Sequence, residues 1–290
     1  MVSWPELGTR VSVRYRRPAG SVPPLTDVIG HLLETTPLVR VQTKAGEVVH
    51  FAPEDAVTLR ALSDTPVRAS EIRALEHADA MAWPGVEQHW LDGWLLRAGY
   101  RDTYEANSAV PLERFASHAA IPAIVDWYRS RDLTPRLSVA DRLLRLPDEG
   151  EGANWVLVRD VHPAEPDRSV RLQPEPSAVH LRDIPIDELT AVAGGELIFG
   201  TYADAAAARA TVTDSPDGTR WVGLSTIQTT ADPDAAHAVC EAVLAWGASR
   251  GATRAYLRVR DGDRAAAGLA RSLGFVLHHH ARFITVAALT

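Results

Sequence analysis

Residues 225–259 read STIQTTADPDAAHAVCEAVLAWGASRGATRAYLRV. A β-rich run enters the short polar turn TADPDA, an amphipathic helical pattern follows, and the stretch closes on a second strand. A turn between strand and helix often carries a ligand phosphate, because the first N–H groups of the helix point outward and its dipole favours an anion there. Here the turn holds Asp232, Pro233 and Asp234. Asp232 has the residue type of an N-cap and Pro233 that of the first helical position. The helix is thus expected to carry its own anion, so that the turn closes a phosphate site instead of making one.

Outward from this unit, residues 176–290 alternate. VHLRDI reads as strand, IDELTAVAGG as helix, the alanine run YADAAAARATV as a further helix and RWVGLSTIQT as strand. Beyond the long helix come the strand RAYLRVR, the helix DRAAAGLARSLG and the strand FVLHHHARFITVAAL. Gly251 and Gly274 sit just past two helices, where a C-cap glycine belongs. Such alternation implies layered α/β packing.

Residues 68–168 open on ASEIRALEHADAMAW, in which Ile72, Leu75, Ala78 and Ala82 recur with helical spacing and Ser70 stands as a possible cap. HWLDGWLLRAG and YEANSAVPL then read as two strands about a turn at YRDT. A helix over AAIPAIVDWYRSRD and strands at PRLSVA and WVLVRDV follow, the latter two separated by the loop LPDEGEGAN. HPAEPDRSVRLQPEPSA, rich in proline and charge, reads as a linker. Residues 1–62 carry several short strand patterns, among them RVSVRYR with Val11, Val13 and Tyr15 on one face, and suggest a small β-barrel.

With 290 residues, 46% of them hydrophobic, the chain can bury more than one core. A net charge of −7 without any block of like charge argues against a nucleic-acid surface. No apolar run approaches the length of a spanning helix and the first residues have no signal-like apolar segment, so a cytoplasmic protein with no membrane partner is expected. The single cysteine, Cys240, excludes an internal disulfide framework and a cysteine-based zinc site. In the run His278–His280 only His278 and His280 share a strand face, too few ligands for zinc.

The pieces WVGLSTI, AWGASRGATRAYLRV and ARSLGFVLHHHARF resemble the C-terminal half of the GCN5-related N-acetyltransferase (GNAT) fold. WLDGWLLRAGYRDTYEANSAVPL with IVDWYRSRDLTPRLSV resembles the partial first copy in two-part bacterial members, and LGTRVSVRYRRP with LTDVIGHL resembles an SH3-like module ahead of such pairs. The resemblance implies an α/β (α+β) fold, a mixed sheet with helices on both faces behind a small β-barrel. It implies acetyl-CoA as acyl donor, a small-molecule or peptide amine as acceptor, and a protein partner for the barrel. Strand contacts to the donor would come from Ile227, Gln228 and Thr229, and helix-terminus contacts from Asp234, Ala235, Ala236 and Asp263.

Against the family's R-R-x-G-x-A loop, residues 231–236 match only at Ala236. Asp263 stands where a helix-starting asparagine is common, with a cap as its plain structural role. Gln228 stands near the usual glutamate base, and an amide cannot take a proton. Ala270 replaces the usual tyrosine acid. Tyr256, Tyr202 and His237 remain as substitutes that sequence alone does not place. The expected function is an acetyltransferase fold with weakened or lost chemistry; an active enzyme with a divergent acetyl-CoA site, a user of another acyl donor lacking a pyrophosphate, and a non-catalytic binding or regulatory protein are the alternatives.

Overall fold

The computed structural model describes the chain except residues 1, 3, 6, 19, 44, 63–66, 101–103, 147–150, 182–183, 231 and 287–290. It divides into two compact units, Met1–Val67 and Arg68–Thr290.

The first unit is one antiparallel sheet of β1 (Arg10–Arg16), β2 (Leu25–Glu34), β3 (Val39–Thr43), β4 (Val48–Phe51) and β5 (Ala56–Leu62), in the order β4-β3-β2-β1-β5. Strand alternation builds its core: Val11 and Val13 are buried with Val28, Leu32, Val39, Val41 and Phe51, and Tyr15 packs against them, stacked on Phe51 at 4.2 Å.

The second unit is a mixed α/β layer built on one sheet of eleven strands. In chain order its elements are α1 (Ala69–Ala82), β6 (Glu87–Leu91), β7 (Trp94–Ala98), β8 (Ala109–Pro111), α2 (Ile121–Arg129), β9 (Arg136–Ala140) and β10 (Glu151–Asp160). Then follow β11 (Arg171–Gln173), α3 (Ile186–Leu189), β12 (Glu196–Tyr202), β13 (Ala206–Asp214), β14 (Arg220–Thr229), α4 (Pro233–Ser249), β15 (Arg254–Arg260), α5 (Arg264–Ser272) and β16 (Val276–Thr285). The sheet order is β11-β12-β13-β14-β15-β10-β16-β9-β8-β7-β6. Two parallel pairs, β8 with β9 and β14 with β15, are each bridged by a helix, α2 and α4. Between them β10 lies flanked by β15 and β16, and β16 pairs with β9, so the stretches 68–168 and 176–290 share one sheet.

Several elements depart from the sequence reading. The alanines Ala206–Ala208 lie in β13, not in a helix, because its two faces are both buried and pairing with β12 and β14 outweighs alanine's helix propensity. HWLDGWLLRAG is itself a hairpin: Asp92 and Gly93 both have positive φ, 46° and 83°, the turn that Asp-Gly favours. The expected turn at YRDT falls on residues 101–103, outside the described residues. VHLRDI forms a turn at its described residues, and the linker contains β11. Ser70 is inside α1; the cap is Arg68, whose N–H donates to Glu71 Oε2 at 2.6 Å.

Candidate functional site

Strands β14 and β15 run parallel from the pair Trp221 and Arg254 to the pair Leu224 and Leu257, and there their pairing ends. Past that point β14 follows β13 and β15 follows β10. A bulge starts the divergence: Ser225 pairs with Arg209 and Gln228 with Ala207, leaving Thr226 and Ile227 opposite Ala208 alone. Thr226 takes a positive φ of 47° there. The result is an open stretch of strand edge in the middle of the sheet.

Beside this opening, on the face covered by α1, lies a cavity of about 230 Å³. Its lining includes Asp79 and Trp83 from the α1 end, Gly223 to Thr226 from β14, Tyr256 and Arg258 from β15, and the carboxylates Glu105 and Glu188. Gly223 is required: a Cβ at that position would overlap the Tyr256 ring. Burial raises the Tyr256 hydroxyl pKa well above its ordinary value, with Asp79 adding to the shift, so it is a proton donor at neutral pH.

A chain of buried polar groups stands behind the cavity. Arg258 donates through Nε to Asp79 Oδ2 at 2.9 Å and through Nη2 to Glu76 Oε1 at 2.6 Å. Glu76 Oε1 also meets His279 Nε2 at 2.9 Å, and His279 Nδ1 meets His278 Nδ1 at 2.7 Å. Burial opposes ionisation of Glu76, yet Arg258 and His279 hold its pKa down at about 2. His278 and His279 stand together because β16 bulges: Val156 pairs with His279 and Leu157 with Leu277, so His278 is the extra residue. The expectation that His278 and His280 share a face apart from His279 is corrected by this bulge, which rotates His278 toward its neighbour; both are buried. Among the described residues no group of three metal-binding side chains forms.

Arg209 forms the cavity's far support. Its guanidinium is fully buried under Trp83, 3.9 Å from the ring centroid. It donates to the carbonyls of Leu189, Ala82 and Ala191 at 2.8, 2.9 and 2.8 Å, and to Ser225 Oγ at 3.3 Å. Burial pushes its pKa down to about 9, with Tyr256 and Asp79 opposing the fall.

The residues anticipated from sequence lie elsewhere. Asp232 caps α4, its Oδ1 accepting from Asp234 and Ala235 N–H at 3.1 Å each, with Pro233 next. Ala235 and Ala236 are buried against the α4 core, and Ile227 packs on that core too. Gln228 and Thr229 pair with Ala207 and Ala206 beyond the bulge. Asp263 caps α5 through Ala266 N–H at 3.0 Å. None of these lines the cavity. Tyr256 does, whereas Tyr202 packs with the α4 core, Ala270 is buried there, and burial raises the Cys240 thiol pKa to about 12. Asp79 and Glu76 went unread, although both fall on the apolar stripe of α1 with Ile72, Leu75 and Ala82. Carboxylates on a core-facing stripe were the available signal.

Residues 69–284 match the family model described as "Probable histone acetyltransferase Rv0428c C-terminal", and residues 5–60 match "Rv0428c N-terminal Sm-like domain". The chain belongs to the Rv0428c family. It is 58% identical to "Probable histone acetyltransferase Rv0428c" of Mycobacterium tuberculosis (strain ATCC 25618 / H37Rv), across 98% of this chain and 97% of the relative. A GCN5-related N-acetyltransferase from Kribbella flavida superposes with a TM-score of 0.52 at 14% identity, covering 76% of this chain and 95% of that one, and so shares the GNAT fold. The chain is acetyltransferase-like, and its N-terminal sheet is matched as Sm-like where the sequence suggested an SH3-like module.

Acetyl-CoA, the acyl donor of GNAT neighbours, would meet unequal fits along β14 past Leu224 and at the α4 terminus that follows the strand. The strand edge beyond Leu224 offers backbone groups to a pantetheine amide chain. At the α4 terminus, Asp232 already occupies two of the N–H groups a pyrophosphate would use, and its carboxylate and that of Asp234 repel one.

Proposed function

We propose that this protein is an N-acetyltransferase that admits the pantetheine arm of acetyl-CoA along the open edge of β14 and transfers the acetyl group to a cationic amine in the adjoining cavity. The observation that carries this reading is the end of β14–β15 pairing at Leu224 and Leu257 beside a cavity lined by Asp79, Glu105 and Glu188. Carboxylates in a partly closed site attract an ammonium group and disfavour anionic acceptors. Pantetheine contacts, not the pyrophosphate, supply most of the donor's binding in this reading. Tyr256, on a strand, takes the place of the absent helix tyrosine as the hydroxyl facing the leaving sulfur.

The discriminating experiment compares acetyl-CoA with S-acetylpantetheine, which lacks the pyrophosphate, as donors to a lysine-containing peptide amide, following thiol release. Their kcat/KM values should agree within about tenfold. An advantage of acetyl-CoA beyond about a hundredfold, roughly 2.7 kcal/mol, would show that the α4 terminus binds the pyrophosphate after all. The second reading is a non-catalytic binding or regulatory protein. The Asp232 cap favours it, and binding of both donors without thiol release to any amine would establish it.

A further inference from the structure

By the resemblance, Gln228 stands near the family's strand base and Ala270 in the place of its helix acid, and neither moves a proton. The cavity contains another pair. Asp79 and Arg258 line it together, joined by the 2.9 Å bond from Nε to Oδ2. Arg258 Nη2 is fixed from behind by Glu76, which is in turn held by His279. Its Nη1 is buried and, among the described residues, has no hydrogen-bond partner. A buried guanidinium N–H without a partner, on a residue that lines the cavity, is a donor waiting for a ligand oxygen.

The two carboxylates bound to Arg258 differ in access. Glu76 is 1% exposed at its side chain and closed off, whereas Asp79 is 14% exposed and reaches the cavity. Glu76 alone balances the guanidinium charge; Asp79 is the surplus, and the trio carries one net negative charge. A surplus carboxylate beside an unpartnered N–H donor suits a reaction in which a cation gives up a proton and a carbonyl oxygen gains charge.

We propose that Asp79 and Arg258 are the catalytic pair of this site, Asp79 accepting the proton of the acceptor ammonium and Arg258 Nη1 donating to the acyl carbonyl oxygen. The assignment rests on the acyl-transfer reading above. Proton loss to Asp79 frees the amine lone pair, which forms the N–C bond as the carbonyl π pair moves onto the oxygen facing Nη1. Collapse restores the carbonyl and breaks the C–S bond, the electron pair leaving on sulfur. The remaining extra proton on nitrogen passes to that sulfur, directly or through the Tyr256 hydroxyl, giving amide and thiol. Asp79 then releases its proton to solvent. No further acid is needed, which accommodates Ala270.

The test uses the full chain, S-acetylpantetheine and a lysine-containing peptide amide. Asp79→Ala should lower kcat by about 10²–10⁴-fold while leaving the donor KM within a few-fold, and sodium formate should restore part of the lost kcat. Arg258→Lys should lower kcat by about 10²–10³-fold. If Asp79→Ala does not fold, the isosteric Asp79→Asn decides, and it should show the same loss. Wild-type kcat in either Asp79 variant, or a loss confined to KM, overturns the pair. Absence of thiol release in the wild type instead overturns the acyl-transfer reading on which the pair rests, so the two failures are told apart.

Discussion

The two faces of β13 are made of the same short strand and have different work. Toward α4 it presents Ala206, Ala208, Ala210 and Val212, all buried in the helix-facing core. Toward α1 it presents Ala207, Arg209, Thr211 and Thr213, equally buried yet mostly polar. Arg209 ties the ends of α1 and α3 to the bulge at Ser225, and Thr213 Oγ1 donates to Ala78 O at 2.9 Å. On the first face any small apolar residue that keeps the helix close will serve. On the second Arg209 and Thr213 each have particular partners, and Thr211 lines the cavity that opens beside them. Burial alone therefore does not separate scaffold from site in this fold; the chemistry of what is buried does.

The largest test of that contrast is Arg209→Ala. It strips a donor from three buried carbonyls and leaves a void under Trp83, and should lower stability by about 3–5 kcal/mol. Val212→Ala on the opposite face removes only methyl groups and should cost about 2 kcal/mol. Chemical denaturation of both variants checks the ordering. Equal losses would erase the distinction between the faces.

A second, intermediate effect comes from the polar side of β16. Burial first, then the neighbouring His279 and Arg254, push the His278 pKa down to about 3. The unfolded chain binds a proton at this residue below about pH 6.5, while the native state refuses it until about pH 3. Stability from His278 is thus fully present above pH 6.5 and falls as the pH drops, at up to about 1.4 kcal/mol per unit. By pH 5 the loss should reach about 2 kcal/mol. His278→Gln should reduce the slope of unfolding free energy between pH 6.5 and 5; burial lowers His77 and His180 as well, so some slope remains. An unchanged slope would mean that His278 is solvated in the native state.

The same contrast explains what could be read before the structure. The α4 side follows local rules: Asp232 and Asp263 as caps, Gly251 and Gly274 at helix ends with φ of 87° and 77°, and helices where the apolar period is strong. The site on the α1 side is non-local. Glu76 and Asp79 meet Arg258 and His279 across roughly two hundred residues of chain, and no spacing rule connects them. The bulges that turn His278 beside His279 and set Thr226 at a positive φ break the two-residue period on which strand reading depends. The alanines of β13 misled for a related reason, since their helix propensity is intrinsic while the sheet that overrides it is tertiary.

The smallest expected change in stability accompanies the most informative change in binding. Asp232 Oδ1 accepts from Asp234 and Ala235 N–H at 3.1 Å, so Asp232→Ala should cost about 1 kcal/mol of stability. It also removes a negative charge from the helix terminus and frees two N–H groups for an anion. If the cap is what closes this end of β14, the variant should gain affinity for acetyl-CoA while its affinity for S-acetylpantetheine stays the same, because only the former carries a pyrophosphate. Isothermal titration of both donors against both proteins gives the four values required. A gain shared equally by the two donors would place the effect in the pantetheine path along β14. No gain for either would show that Asp234, still beside the terminus, is sufficient by itself to keep the pyrophosphate out.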